Sequence, residues 1–241
     1  MPTSDSGLSR RVSRREAIGA MAALGVGGGI ALWRATRSNG ASVPVPSGSR
    51  LPKADCVLAP ELTEGPYYLA SEPFRRDIRE GRPGAPLEID FTIQNAACQP
   101  IEGATVEIWH ADALGNYSGF NGQTGSFLRG QQTTDKDGHA SFKTIYPGWY
   151  TGRAVHIHVK VHVGGNVVHT GQLFFDDGVS DKVFTLKAPY NTRGQRDTLN
   201  SGDSIFAGGG SATVLKVKRG RNQKGKRKKG YEAKISLGVN A

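Results

Sequence analysis

The chain has 241 residues, 37% of them hydrophobic, enough for one sizeable domain or two small ones with an ordinary globular interior. Its formal charge of +10 and pI near 9.8 would suit a polyanion-binding protein, but much of the positive charge sits at the two ends, so position decides its meaning. The two cysteines, Cys56 and Cys98, show no C-x-x-C spacing and exclude a cysteine-rich metal site.

In chain order, the first feature is an expected export signal over 1–33. Arg14 and Arg15 precede a Gly/Ala-rich, mildly apolar run from Ala17 to Trp33, the pattern of a twin-arginine leader. The run is short and glycine-rich for a membrane span, although an uncleaved leader would act as a tether. Residues 34–52, "RATRSNGASVPVPSGSRLP", have linker composition. The folded domain is expected over 53–241. Because the twin-arginine machinery carries folded proteins, this leader suits a cofactor loaded before export to a secreted, periplasmic or cell-surface location. Beyond the leader, oxidation is permitted, and Cys56 and Cys98 are either one disulfide or two unpaired small residues.

From residue 86 onward, short alternating runs separated by turn residues dominate: "PLEIDFTIQN", "ATVEIWHAD", "HASFKTIYP", "AVHIHVKVHV", "VVHTGQLFFDD" and "SATVLKVKRG". No long helical period is evident. With 33 glycines and 12 prolines, this predicts a mainly β, single-domain antiparallel or mixed β-sandwich. The basic run over 216–229 reads as the long loop of a terminal hairpin. It lacks interleaved aromatics, which argues against nucleic acid and leaves a solvated loop or a contact with an acidic polymer or cell surface.

The densest chemistry lies in "YTGRAVHIHVKVH", residues 150–162. Strand alternation puts Val155, Ile157, Val159, Val161 and Val163 on one face and His156, His158, Lys160 and His162 on the other. Imidazoles two residues apart can share one ion, with iron, copper, zinc and nickel all compatible; Lys160 marks the face as partly wet. Tyrosines crowd nearby: Tyr117, Tyr146 and Tyr150. Phenolate is a hard oxygen donor, and two tyrosines with two histidines point to ferric iron, which would lower the phenol pKa. His162 lies about 13 Å along the strand from His158, at about 3.3 Å per residue, too far to join the same ion. His110, His139 and His169 read as surface or hydrogen-bonded residues.

The blocks "IWHADALGNYSGF", "TIYPGWYTGRAVHIHV" and "GQLFFDD", with "TEGPYYL" upstream, resemble the intradiol ring-cleavage dioxygenases over most of residues 56–215. The order W-H-A-x-x-x-G-x-Y, P-G-x-Y, R-x-x-H-x-H carries the resemblance. It implies a sandwich holding one Fe(3+) per chain on Tyr117, Tyr150, His156 and His158, with Tyr150 and His158 as the axial pair and hydroxide in a fifth position. It also implies that Tyr150 takes up a substrate proton, that Arg153 stabilises charge on the substrate and that Gln172 stands behind the ligands. The implied reaction is opening of a catechol ring between its hydroxylated carbons by O2, to cis,cis-muconate-type products. Tyr146 is a rival ligand; Glu64, Tyr67 and Tyr68 are candidate pocket residues. Only six positions separate Tyr150 from His156, fewer than in the classical enzymes, which implies a more open site. The helical N-terminal region that dimerises catechol-specific members is missing from the pattern, which leaves oligomeric state open. The rival functions are an extracytoplasmic copper or iron binder and a non-catalytic binding sandwich; a copper carrier has no need of the two tyrosines.

Overall fold

The computed structural model describes residues 57–70, 72–221 and 226–241, without the side chains of Arg221, Arg227 and Lys228; these residues belong to a compact unit spanning Leu51–Ala241. The expected export signal and linker lie outside the described residues, as does Cys56. Cys98 is disulfide-bonded. Among the described residues no helix is long and apolar enough to cross a membrane.

Among the described residues, nine strands build two sheets. They are β1 (Pro86–Gln94), β2 (Thr105–Trp109), β3 (Arg129–Thr133), β4 (His139–Ile145), β5 (His156–Val163), β6 (Asn166–Phe175), β7 (Val214–Leu215), β8 (Lys218–Arg221) and β9 (Arg227–Gly238). One sheet has the order β4-β1-β9-β8, the other β3-β2-β5-β6-β7. Pairing is mixed: β1 runs antiparallel to β4 and parallel to β9, and β6 runs parallel to β7. The sandwich core forms where the apolar halves of both alternations meet. Leu87, Ile89, Phe91 and Ile93 come from β1, and Val106, Ile108, Ile157, Val159, Val161 and Leu173 from the other sheet.

Four expectations need correction. A helix, α1 (Asp177–Leu186), follows β6; Asp176 caps it by accepting the Val179 N–H, and its few apolar residues were too short a run to stand out against the strand before it. β3 is a strand of polar residues, "RGQQT", at the edge of its sheet, so alternation gave no sign of it. "SATVLKVKRG" is not one strand: a 3₁₀ turn at Gly210–Thr213 precedes the two-residue β7, and β8 begins at Lys218. Finally, the basic stretch 216–229 is not a long loop. Lys218–Arg221 is β8, paired antiparallel with β9, which begins at Arg227.

The polar face of β5 also differs from expectation, because it is not wet. Residues 61–70 and 72–75 cover that face: Leu62 N–H donates to the Thr170 carbonyl (2.9 Å) and Arg75 N–H to that of Gln131 (3.1 Å). His156, His158 and Lys160 are consequently buried. The Glu64 carboxylate meets the Lys160 ammonium, which also lies 3.6 Å from the centre of the Tyr68 ring. A lysine can be buried when a counter-ion and an aromatic face replace water.

Candidate active site

Each motif block places one side chain and also holds its neighbour block. After β2, the Asp112 carboxylate accepts the N–H groups of Leu114 and Asn116, both at 2.9 Å, and winds the chain into a turn that delivers Tyr117. Gly115 sits at φ +85°, where an added Cβ would lie 2.4 Å from the Trp149 carbonyl oxygen. Gly148 donates its N–H to the Asp112 carbonyl at 3.0 Å, and a Cβ there would come within 2.3 Å of that oxygen. The glycines of the first two blocks thus let the Tyr117 and Tyr150 loops dock backbone to backbone.

Between these loops and β5, four donor atoms converge. Tyr150 Oη is 3.1 Å from His156 Nε2, His156 Nε2 is 3.1 Å from His158 Nε2, and His158 Nε2 is 3.2 Å from Tyr117 Oη. Tyr117, His156 and His158 are buried; Tyr150 is half-buried. The ring of His158 stacks on Trp109 (centroids 4.9 Å apart, planes within 4°). Gly65 of "TEGPYYL" closes over it, with a would-be Cβ 3.1 Å from His158 Cε1. Tyr67 stacks on Tyr117 at 4.3 Å.

Arg153 lies beside Tyr150. Its Nε donates to Asp203 Oδ2 at 2.9 Å, one Nη reaches the Tyr150 oxygen at 3.5 Å, and the other donates to the Gln172 side-chain oxygen. Gln172 in turn donates to the Thr63 carbonyl at 2.8 Å. The structure therefore brings together Tyr117, Tyr150, Arg153, His156, His158 and Gln172. It does not bring Tyr146, whose hydroxyl bonds Ser180 Oγ at 2.8 Å within the core. His162 is also apart, with Nε2 on Glu107 at 3.0 Å. His110 is buried between the Ala111 carbonyl and Thr144 Oγ1, and His169 is buried against Glu61. His139 is exposed. Glu64 and Tyr68 serve Lys160, and Tyr67 alone of that trio touches the cluster.

Sequence reasoning missed Asp203, Trp109 and the Lys160–Glu64 pair. Asp203 had a readable signal: it precedes "SIF" and caps the short helix α2 (Ser204–Ala207) by accepting the Ile205 and Phe206 N–H groups. Its second oxygen takes Ala154 N–H at 2.7 Å together with Arg153, a tertiary role that no local pattern encodes.

The electrostatics suit a cation. Burial pushes the His156 imidazole down to about 3 and His158 well below its ordinary value, so both rings are neutral. His156 Nδ1 donates to the Ala154 carbonyl at 2.6 Å, which leaves its Nε2 lone pair aimed into the cluster. His158 Nδ1 has no hydrogen-bond partner. Burial raises both phenols, Tyr117 well above its usual value, with the Arg153 charge opposing the shift. Two neutral imidazoles whose Nε2 atoms sit 3.1 Å apart, flanked by two phenol oxygens, form a donor set that a hard trivalent cation fits, and such a charge would reverse the phenol shifts. Among the described residues no group of three or more His, Cys, Asp or Glu could hold a metal, so the tyrosines are essential to this fit.

A dioxygenase family model matches residues 63–195. The fold is similar to the intradiol ring-cleavage dioxygenase of Tetranychus urticae, at 34% identity and a TM-score of 0.69, over 77% of this chain and 95% of that one. It is also similar to the dioxygenase domain of a carbohydrate-binding fusion protein from Streptomyces sp. SirexAA-E, at 29% identity and a TM-score of 0.59, over 77% and 99%. Against the chlorocatechol 1,2-dioxygenase of Rhodococcus opacus the identity is 25% over 144 residues, 51% of this chain and 56% of that enzyme; the chain thus spans little more than half of that relative's length. With the motif blocks docked around one donor cluster and these likenesses together, the chain belongs to the intradiol ring-cleavage dioxygenase family.

Proposed function

We propose that the protein is an exported dioxygenase that holds one ferric ion on Tyr117, Tyr150, His156 and His158 and opens catechol-type rings between the two hydroxylated carbons with O2, giving cis,cis-muconate-type products. The observation that carries this reading is the convergence of two phenol oxygens and two imidazole nitrogens within 3.1–3.2 Å steps. A ferric ion bound there supplies Lewis acidity toward a catecholate and draws electron density from its ring, which exposes the ring to dioxygen.

The chain's own residues prepare that chemistry. Tyr150 is the most exposed of the four donors and lies within reach of Arg153, so its oxygen is placed to take a proton from an incoming catechol hydroxyl. Arg153 is held on two sides, by Asp203 and Gln172, and presents fixed positive charge where a catecholate would enter. Gln172 links that guanidinium to the Thr63 carbonyl, which ties the covering segment to the site. Tyr67 and Trp109 shield Tyr117 and His158 from water by stacking.

The test is one preparation. Native protein should be red-brown from phenolate-to-iron absorption, contain one iron per chain and consume O2 with catechol. Protein that stays colourless and iron-free after ferric reconstitution would sink the proposal. Export is tested separately: cell fractionation should find Arg14→Lys/Arg15→Lys retained in the cytoplasm, and an unchanged distribution would remove the twin-arginine route.

A further inference from the structure

On the other sheet, away from the donor cluster, the positive charge is concentrated. Residues 216–229 contain nine lysines and arginines and no carboxylate. Of this run, β8 and the start of β9 lie at one edge of the four-stranded sheet. Two concavities open beside it. The larger, 540 Å³, has Lys187, Arg219 and Lys229 as its charged lining residues, over Ala85, Pro86 and Tyr231. The smaller, 180 Å³, shares Pro86, Lys229 and Tyr231 and adds Arg79 and Lys143, with Glu88 and Glu232 as its acidic members. Shared walls make the two a single furrow. Arg79 is already engaged by Asp77, but among the described residues Lys187, Arg219 and Lys229 make no ion pair. The Arg219 guanidinium stands 4.7 Å from the centre of the Tyr231 ring, which orients it without neutralising it.

We propose that this furrow binds a linear acidic polysaccharide, a chain bearing a carboxylate or sulfate on successive sugars. No carboxylate lines the larger concavity, so Lys187, Arg219 and Lys229 hold a positive potential there that complements an external anion. Pro86 and Ala188, the exposed apolar residues of its lining, offer contact to the C–H faces of sugar rings. Single-stranded nucleic acid would need exposed rings for base stacking, and Tyr231 is only 7% exposed. An anionic bilayer held by more than charge would take up apolar side chains, and at this end of α1 the large apolar side chain exposed is the single Leu186. The furrow is lined by β1, β4, β8 and β9 together with Arg79 and the residues that follow α1, and the donor cluster belongs to the opposite sheet, so polymer binding and ring cleavage would use separate surfaces.

The test uses the full chain with immobilised polygalacturonate, neutral amylose as the blank, and duplex DNA and phosphatidylserine vesicles as competing ligands. We expect retention on polygalacturonate that falls steeply with added salt. The double variant Lys187→Gln/Lys229→Gln should bind roughly thirtyfold more weakly. Lys136→Gln/Lys234→Gln, which removes the same charge from elsewhere, should bind nearly as the parent does. Oxygen consumption with catechol and the unfolding midpoint should be unchanged in both, so failure of the iron centre and failure of this surface are read separately. Equal weakening of the two doubles would reduce the effect to overall charge and overturn the furrow. Tighter binding to DNA or vesicles than to polygalacturonate, or no retention at low salt, would overturn the choice of polymer.

Discussion

The two sheets alternate apolar and polar residues in the same way, yet their outer faces have opposite fates. On β5 the outward His156, His158 and Lys160 are 3%, 0% and 7% exposed, whereas on β1 the outward Glu88, Asp90 and Thr92 are half-buried or exposed. The difference is residues 61–70 and 72–75, which lie across the first face and tie down at Thr170, Gln131 and Gln172. Covering a polar strand face changes its chemistry: imidazoles lose their charge, ion pairs become obligatory, and four donors can be held without water between them. The open face keeps its charges in solvent.

The largest test of that contrast removes a donor. His158→Ala or Tyr150→Phe should lower oxygen consumption by more than about 100-fold, beyond the range for outer-sphere changes at metal sites, and Tyr150→Phe should also shift the visible absorption. Gln172→Ala, one step behind the donors, should cost about 10–100-fold. Thr92→Ala on the open face should leave activity alone, and Tyr146→Phe should leave the colour unchanged. If Tyr146→Phe bleaches the protein while Tyr150→Phe does not, the donor assignment is reversed.

Next comes the docking of the two tyrosine loops. Gly115→Ala places a methyl 2.4 Å from the Trp149 oxygen at φ +85° and should cost about 3 kcal/mol or more in denaturant unfolding, clash added to left-handed strain. Gly165→Ala also has positive φ (+82°) but meets nothing within 4 Å, so it should cost about 1 kcal/mol. Equal costs would show that strain alone, and not the close approach, explains the first glycine.

Acid sensitivity should follow burial as well. His110 is enclosed between the Ala111 carbonyl, to which Nδ1 donates, and Thr144, whose hydroxyl Nε2 accepts, and burial lowers its pKa to about 4. The folded value lies below the unfolded one of about 6.5, so as pH falls the unfolded chain takes up this proton first. The stability contribution is therefore full above about pH 6.5 and drains between about 6.5 and 4, by up to about 3 kcal/mol. His110→Gln should be less stable at neutral pH but should flatten that part of the stability–pH curve; an unaltered slope would assign it to other groups.

The sandwich was legible because its alternations are long. β1 and β5 show period 2 over nine and eight residues, and their register follows from it. The donor residues were nameable because a motif order carries them, and the glycines of those motifs now have a reason in loop docking. What stayed hidden was tertiary. Lys160 looked like a marker of solvent because its counter-ion, Glu64, lies 96 residues earlier in the chain, and Asp203 reaches Arg153 across 50 residues. The charge run over 216–229 suggested a loop since strand propensity says little about lysine-rich edges; pairing with β9 overrides it.

The finest comparison is between two lysine–carboxylate pairs, one on each sheet. Lys160 meets Glu64 with its own side chain 8% exposed and that of Glu64 39% exposed. Lys234 meets Asp90 at 3.5 Å with both largely in water, at 83% and 51%. Removing a carboxylate from the first pair strands an ammonium inside the protein. Removing it from the second returns a lysine to solvent. Breaking a fully buried pair costs about 3–5 kcal/mol, but Glu64 is partly solvated and Lys160 retains the Tyr68 face and the attraction of Glu107, so Glu64→Gln should cost about 1–2 kcal/mol. Asp90→Asn should fall within about 0.5 kcal/mol of the parent. Most of the penalty at Glu64 should also persist in high salt, because the Lys160 ammonium is buried, while any effect at Asp90 should vanish. Equal and salt-sensitive effects at both positions would mean that residues 61–70 and 72–75 do not seal the β5 face in solution, and that the neutral state of its histidines has another origin.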